Sequence, residues 1–235
     1  MSIPVPRITT THLVDGVWAI AEGGLVQCFL IEGATSAVLA DCGLNGRRAI
    51  RQAVDAVTAK PVQLVFTHTD NDHTGAAEFF STPLAHPAEF DYYAARRQAS
   101  LPVAPIWEGD TLDLGGTKLE VILIPGHTPG HIALLDRAAR RLFIGDTVSD
   151  AQVFMFGPGR NLTAYIASLR KLESLTSLFD TLCCAHGSSM LQARWVSRTL
   201  TAAEMLAAGQ LEGHPPPRDL PCQVYSHNGV NLLYP

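Results

Sequence analysis

Apolar residues recur along this chain in two alternating rhythms. VWAIAE (17–22), VQCFLIEG (26–33) and SAVLADCG (36–43) are short strand-like runs parted by glycine-containing breaks, which predicts a β-meander. GRRAIRQAVDAVTAK (46–60) then sets Ile50, Val54 and Val57 on one helical stripe with arginines opposite. PVQLVF (61–66) reads as a buried strand, and AAEFF (76–80) and PAEFDYYAARRQ (87–98) as helices with the strand-like PLAH (83–86) between them. The middle of the chain returns to strands at GDTLDL (109–114), TKLEVILIPG (117–126), IALLD (132–136) and RLFIGD (141–146). NLTAYIASLRKLESLTSLF (161–179) predicts a helix with Asn161 as N-cap and Leu162, Ile166, Leu169, Leu172 and Leu175 on its apolar face. TLCCAH (181–186) is another short buried strand, followed by a helix to about Ala208 and a break at Pro215–Pro217. The chain closes on a hairpin, QVYSHNGVNLLYP, whose Asn228-Gly229 pair suits a type I′ turn.

Strands followed by helices thus occur in two similar successions. This α/β pattern fits two mixed sheets packed together with helices outside. No linker parts the halves, so residues 1–235 are expected to be one domain, with the hairpin from about residue 222 as part of it. At 235 residues and 47% hydrophobic, the chain can build a large core. Its net charge of −5 and lack of a basic block give no reason to expect nucleic acid or an anionic membrane as partner. MSIPVPRITTTHLVDG lacks a signal-peptide core, and no stretch approaches the roughly 20 apolar residues that span a bilayer. Five cysteines (Cys28, Cys42, Cys183, Cys184 and Cys222) show neither C-x-x-C spacing nor a disulfide framework, so reduced thiols and a cytoplasmic location are expected.

Histidine and aspartate gather wherever an apolar run stops. PVQLVF leads into THTDNDHTG with His68, Asp70, Asp72 and His73; EVILIPG ends at His127; RLFIG ends at Asp146; LCCA ends at His186. SAVLA ends at Asp41. One such histidine is ordinarily a surface or satisfied core residue. Seven imidazoles and carboxylates at four successive strand ends form the ligand set a divalent transition metal requires.

THTDNDHTG, PGHTPGH, FIGD and CCAHG, in this order, resemble the signature of the metallo-β-lactamase-fold superfamily, whose leading motif is H-x-H-x-D-H. The resemblance spans roughly residues 15 to 187 and implies an αββα four-layer sandwich of two mixed sheets flanked by helices. It further implies two divalent metal ions. His68 and His127 would hold one, with Asp70 in the place of a histidine. Asp72, His73 and His186 would hold the other, and Asp146 would bridge them. His131 matches a supporting histidine, and Asp41 a residue that orients ligands by hydrogen bonding.

The departure at Asp70 changes the charge of the centre. Two divalent ions, three carboxylates and a bridging hydroxide cancel, whereas the usual ligand set leaves one positive charge. Zinc is the expected metal, and the added hard oxygen ligand shifts preference toward Fe or Mn. The implied reaction is hydrolysis: the bridging hydroxide attacks an ester, lactone, thioester or phosphoester, and Asp72 is the catalytic residue that orients it and passes on its proton. Two other readings stand beside it. A glutamate at this position marks the flavodiiron branch of the superfamily, so a di-iron oxidoreductase with a separate electron donor is one. A metal-binding module without turnover is the other. In AQVFMFGPGRN (151–161) and the helix after it, Phe156, Arg160 and Tyr165 are candidates for contact with a small-molecule substrate, against the plainer reading that the aromatics pack between helix and sheet. A homodimer is an assembly the sequence allows.

Overall fold

The computed structural model describes residues 7–45, 47–96 and 102–235. Gly46, at the start of the first expected helix, and Arg97 and Gln98, at the end of another, lie outside the described residues, as do the first six residues. Strands β1 (Ile8–Val14), β2 (Val17–Glu22), β3 (Val26–Glu32), β4 (Ala37–Ala40), β5 (Val62–Val65), β6 (Leu84–Ala85) and β7 (Ala104–Pro105) lie side by side in chain order in one sheet. Pairing is antiparallel from β1 to β4 and parallel from β4 to β7. Helix α1 (Arg47–Val57) joins β4 to β5, and α2 (Phe90–Arg96) lies between β6 and β7.

There follow β8 (Thr111–Asp113), β9 (Lys118–Leu123), β10 (Ile132–Asp136), β11 (Arg141–Gly145), β12 (Gln152–Phe154), β13 (Thr181–Cys184) and β14 (Met190–Gln192). All but β12 form a second sheet in the order β14-β13-β11-β10-β9-β8. Helices α3 (Leu162–Ser174) and α4 (Arg194–Ala207) flank β13 and β14 in the chain. The last strands, β15 (Gly213–His214), β16 (Gln223–His227) and β17 (Val230–Tyr234), join β12 in a third sheet. The expected hairpin is therefore present, with Asn228 and Gly229 both at positive φ, but it is the centre of a larger sheet.

Side-chain alternation divides the core into layers. Val38 and Ala40 of β4 face Val121, Ile132, Leu134 and Phe143 of the second sheet, while Ala37 and Leu39 face Ile50 and Val54 of α1. In β10, Ile132 and Leu134 point between the sheets, while Ala133 and Leu135 pack with Tyr165, Ile166, Leu169 and Leu172 of α3. Helix, sheet, sheet and helix follow one another, as the αββα expectation requires. Asn161 caps α3 by accepting from the Ala164 N–H at 2.9 Å. Among the described residues, no helix is long and apolar enough to cross a membrane.

β1 was not expected from the sequence. Its residues ITTTHLV are mostly exposed, and as the sheet's edge it pairs only with β2, so it carries no apolar alternation. β6, β7 and β15 are two residues each, too short to set a period.

Phe143 meets Phe29 edge-on across the sheet interface, with ring centroids 5.6 Å apart, and both are buried. Phe143→Ala is expected to destabilise the protein by about 3–5 kcal/mol in urea unfolding, through lost burial plus a cavity between layers. A loss below about 1 kcal/mol would mean that the two sheets do not share this core.

Candidate metal centre

Strand direction brings the site together. β4 and β5 run parallel, and so do β11 and β13; β9 shares the direction of β11 because β10 is antiparallel to both. The loops after these strands meet at one rim of the sandwich. Asp41 follows β4; His68, Asp70, Asp72 and His73 follow β5; His127 and His131 lie between β9 and β10; Asp146 follows β11; His186 follows β13. Backbone hydrogen bonds stitch the rim across the two sheets. The Ile132 N–H donates to the Thr67 carbonyl at 2.8 Å, and the Gln27 N–H to the Ala185 carbonyl at 2.9 Å. The Gln27 amide also donates to the Cys184 carbonyl at 2.8 Å.

One donor group consists of Asp72, His73, His186 and Asp146. His73 Nε2 lies 3.2 Å from Asp146 Oδ1 and 3.8 Å from Asp72 Oδ2. His186 Nε2 lies 3.2 Å from Asp146 Oδ2 and 3.3 Å from Asp72 Oδ2. The rings are aimed from behind: His73 Nδ1 faces Asp41 Oδ2 at 2.8 Å, and His186 Nδ1 faces the Leu25 carbonyl at 2.6 Å. With those nitrogens donating, Nε2 of each ring points into the site. Asp41 also accepts from the Thr67 N–H and hydroxyl, each at 2.7 Å, so both of its oxygens are engaged by Thr67 and His73. It does so at φ 65, a left-handed conformation that is costly for a residue with a Cβ.

The other group consists of His68, Asp70, His127 and Asp146. Asp70 Oδ2 lies 3.6 Å from His68 Nε2 and 3.4 Å from His127 Nε2, while Asp146 Oδ2 lies 3.9 and 3.5 Å from the same two nitrogens. Four donors about 2.1 Å from a tetrahedral zinc stand about 3.4 Å from one another. The donor set therefore fits a metal ion in both groups. His68 Nε2, His73 Nε2 and Asp146 Oδ1 are buried without a hydrogen-bond partner, a state that costs about 1–3 kcal/mol unless a ligand satisfies it.

Electrostatics separates the two groups. Burial opposes charge on His73 and His186, yet Asp146 and the neighbouring carboxylates outweigh it, raising His73 well above an ordinary imidazole and His186 to about 10. His127 is instead held down to about 4 by burial, with the charge of Arg160 adding to the effect against the pull of Asp70. Arg160 forms a close ion pair with Asp70 through Nη2, and its side chain is 9% exposed. Tyr92 donates to Asp70 Oδ1 at 2.6 Å and accepts from Arg160 Nη1 at 2.6 Å, while Arg96 Nη1 stands 3.2 Å from the same Oδ1.

The rim thus holds every residue assigned to the metals, with Asp146 between the two groups. His131 is fully buried and stacks on the His68 ring at 4.5 Å. Tyr165 corrects the sequence reading. It is fully buried among α3 and the second sheet, its hydroxyl donates to the Thr147 carbonyl, and it cannot meet a substrate. Its place was readable, because Tyr165 lies on the same helical stripe as Leu169 and Leu172. Phe156 is half-buried against Phe154, whose ring centroid is 5.5 Å away.

Three residues on or beside α2 went unread. Glu89 is fully buried; it accepts from the Thr69 N–H and hydroxyl at 2.8 and 2.7 Å and from the Gly130 N–H at 2.7 Å. It clamps the Asp70 loop to the His127 loop. Tyr92 and Arg96 lie three and seven positions further on, so one face of a short helical stretch supplies all three.

The Metallo-beta-lactamase superfamily profile matches residues 21–186. The acyl-coenzyme A thioesterase MBLAC2 of Gallus gallus is 29% identical over 204 residues, covering 69% of this chain and 74% of the relative. A hydroxyacylglutathione hydrolase of Yersinia pestis is 32% identical over 160 residues, covering 64% of this chain and 57% of the relative. A solved metallo-beta-lactamase from Pontibacter korlensis superposes with a TM-score of 0.72 at 20% identity, over 84% of this chain and 99% of that one, a likeness of fold. With both sheets, the loop-borne donor set and the matched span in agreement, the chain belongs to the metallo-β-lactamase superfamily.

Proposed function

We propose that this protein is a metal-dependent thioesterase that cleaves an acyl group from a small thiol carrier. The reading rests on one pairing: a rim of converging imidazole and carboxylate donors, in a chain whose relatives are named for acyl-coenzyme A and hydroxyacylglutathione cleavage. Asp72, His73, His186 and Asp146 would hold one divalent ion, and His68, Asp70, His127 and Asp146 a second, with zinc the metal that suits this donor set. Bound there, such a cation supplies Lewis acidity and brings the pKa of water toward neutrality.

The chain's own residues do the rest. Asp72 stands at the mouth of the site with its side chain 32% exposed. Burial works against its charge, but His73 and His186 hold its pKa below the ordinary carboxylate value, so it is ionised at neutral pH. Its carboxylate oxygen not turned to the donor group would accept a proton from the attacking water and deliver it to the departing sulfur. A C–O bond forms, the C–S bond breaks, and the products are a carboxylic acid and a thiol. Asp41 and the Leu25 carbonyl keep His73 and His186 in register during this exchange.

Thiol release from acyl-coenzyme A and S-acylglutathione probes is expected to exceed turnover of a carboxylic ester, a lactone and a phosphodiester by at least about tenfold in kcat/KM. Faster phosphodiester cleavage overturns the thioesterase reading. Asp146→Ala is expected to lose bound metal and about a thousandfold or more in kcat/KM, since one carboxylate serves both donor groups. Undiminished metal content in that variant would remove Asp146 from the centre. Metal uptake is expected to release protons, because His73 and His186 are held protonated by their carboxylate neighbours until a cation displaces the charge. Affinity therefore rises with pH, and calorimetry in buffers of different ionisation enthalpy reads the proton count directly. A pH-independent affinity contradicts it.

A further inference from the structure

The two donor groups differ in a way their ligand letters do not reveal. Among the described residues, no arginine or lysine pairs with Asp72, and none with Asp146. Asp70 has two arginines and a tyrosine on it. Arg160 Nη2 makes its close contact with Asp70 Oδ2 and lies 3.1 Å from His127 Nε2. Asp70 Oδ2 and His127 Nε2 are themselves 3.4 Å apart, so a single guanidinium nitrogen spans two of the donors of the His68/Asp70/His127 site (the first site). His127 Nε2 is accordingly engaged by a cation, while among the described residues no arginine or lysine lies on His68 Nε2 or His73 Nε2.

We propose that Arg160 is a built-in competitor for the first metal site, so that the Asp72/His73/His186 site binds an ion tightly and the His68/Asp70/His127 site binds one weakly. An ion entering the first site must take Asp70 Oδ2 and the His127 lone pair away from a charge-assisted, largely buried contact. Guanidinium cannot escape by losing a proton. Tyr92 helps hold it in place through the 2.6 Å contact with Nη1. The ligand geometry of the first site is kept, and its affinity is lowered. This inference rests on the metal centre proposed above and not on its substrate.

Titration of the metal-stripped full chain with Zn²⁺, by calorimetry and chelator competition, tests it. The wild type is expected to show one tight step and a second step weaker by at least about tenfold, or none. Arg160→Met is expected to strengthen or restore the second step until the two agree within about threefold. Tyr92→Phe, which keeps the ring but frees the guanidinium, is expected to narrow the gap, and it keeps the test open if Arg160→Met does not fold. Two equal steps in the wild type overturn the proposal, and so does a gap that neither variant changes. One tight zinc with no thiol-releasing activity would sink the thioesterase reading and leave this inference standing.

Discussion

The Ile132 N–H reaches across from the second sheet to the Thr67 carbonyl of the first, one residue from His131 on one side and one from His68 on the other. That bond and its neighbour from Gln27 to Ala185 hold two separate sheets at one fixed spacing along the rim. Each donor group draws ligands from both sheets. A metal centre of about 2 Å bonds tolerates little drift, so the chemistry depends on this closure before it depends on any single ligand. Glu89 adds a third stitch. Its buried carboxylate binds the Asp70 loop through Thr69 and the His127 loop through Gly130, and it compensates for backbone N–H groups that burial would otherwise leave unpaired.

Layering explains why the rim is rigid. Strands such as β4 and β10 are buried on both faces, one against the opposite sheet and one against a helix. Loops leaving doubly buried strands begin from a fixed point and direction. Asp41 sits at such an exit with φ 65, and three hydrogen bonds to Thr67 and His73 offset the conformational cost. The strain and the function occupy the same residue: the turn that strains Asp41 is the turn that brings its carboxylate behind His73.

The sequence made most of this legible, because the ligands stand where apolar runs stop. β2 and β10 match their predicted runs residue for residue, and the Asn161 cap is where the helix pattern placed it. What escaped has physical reasons. β1 is a polar edge strand with no buried face to impose a period, and the third sheet pairs β12 with β17, nearly eighty positions away in the chain. Tyr165 is a substrate-contact candidate by its place beside the loop, although its helical phase puts it in the core. Asp70 was read as an unusual ligand because its neighbours in the chain are ligands. Its ion-pair partner Arg160 is ninety residues away, a pairing that no local pattern encodes.

That pairing changes what the aspartate means. Alone, a third carboxylate makes the centre more negative and its cation a weaker acid. Together with Arg160 it adds no charge, and the net charge returns to that of a histidine at the same position. The two are still not equivalent. A histidine offers one neutral lone pair and nothing that competes for it. The Asp70–Arg160 pair offers a carboxylate oxygen whose strength as a ligand depends on where a long, flexible cation rests. Arg160 follows the glycine-containing loop after β12 and is held at its tip by Tyr92 and Asp70, so its resting place is set by a residue of α2 and one of the loop after β5. An anionic group on a substrate that engaged the same guanidinium would link substrate binding to first-site affinity through one side chain, each altering the other by the same factor.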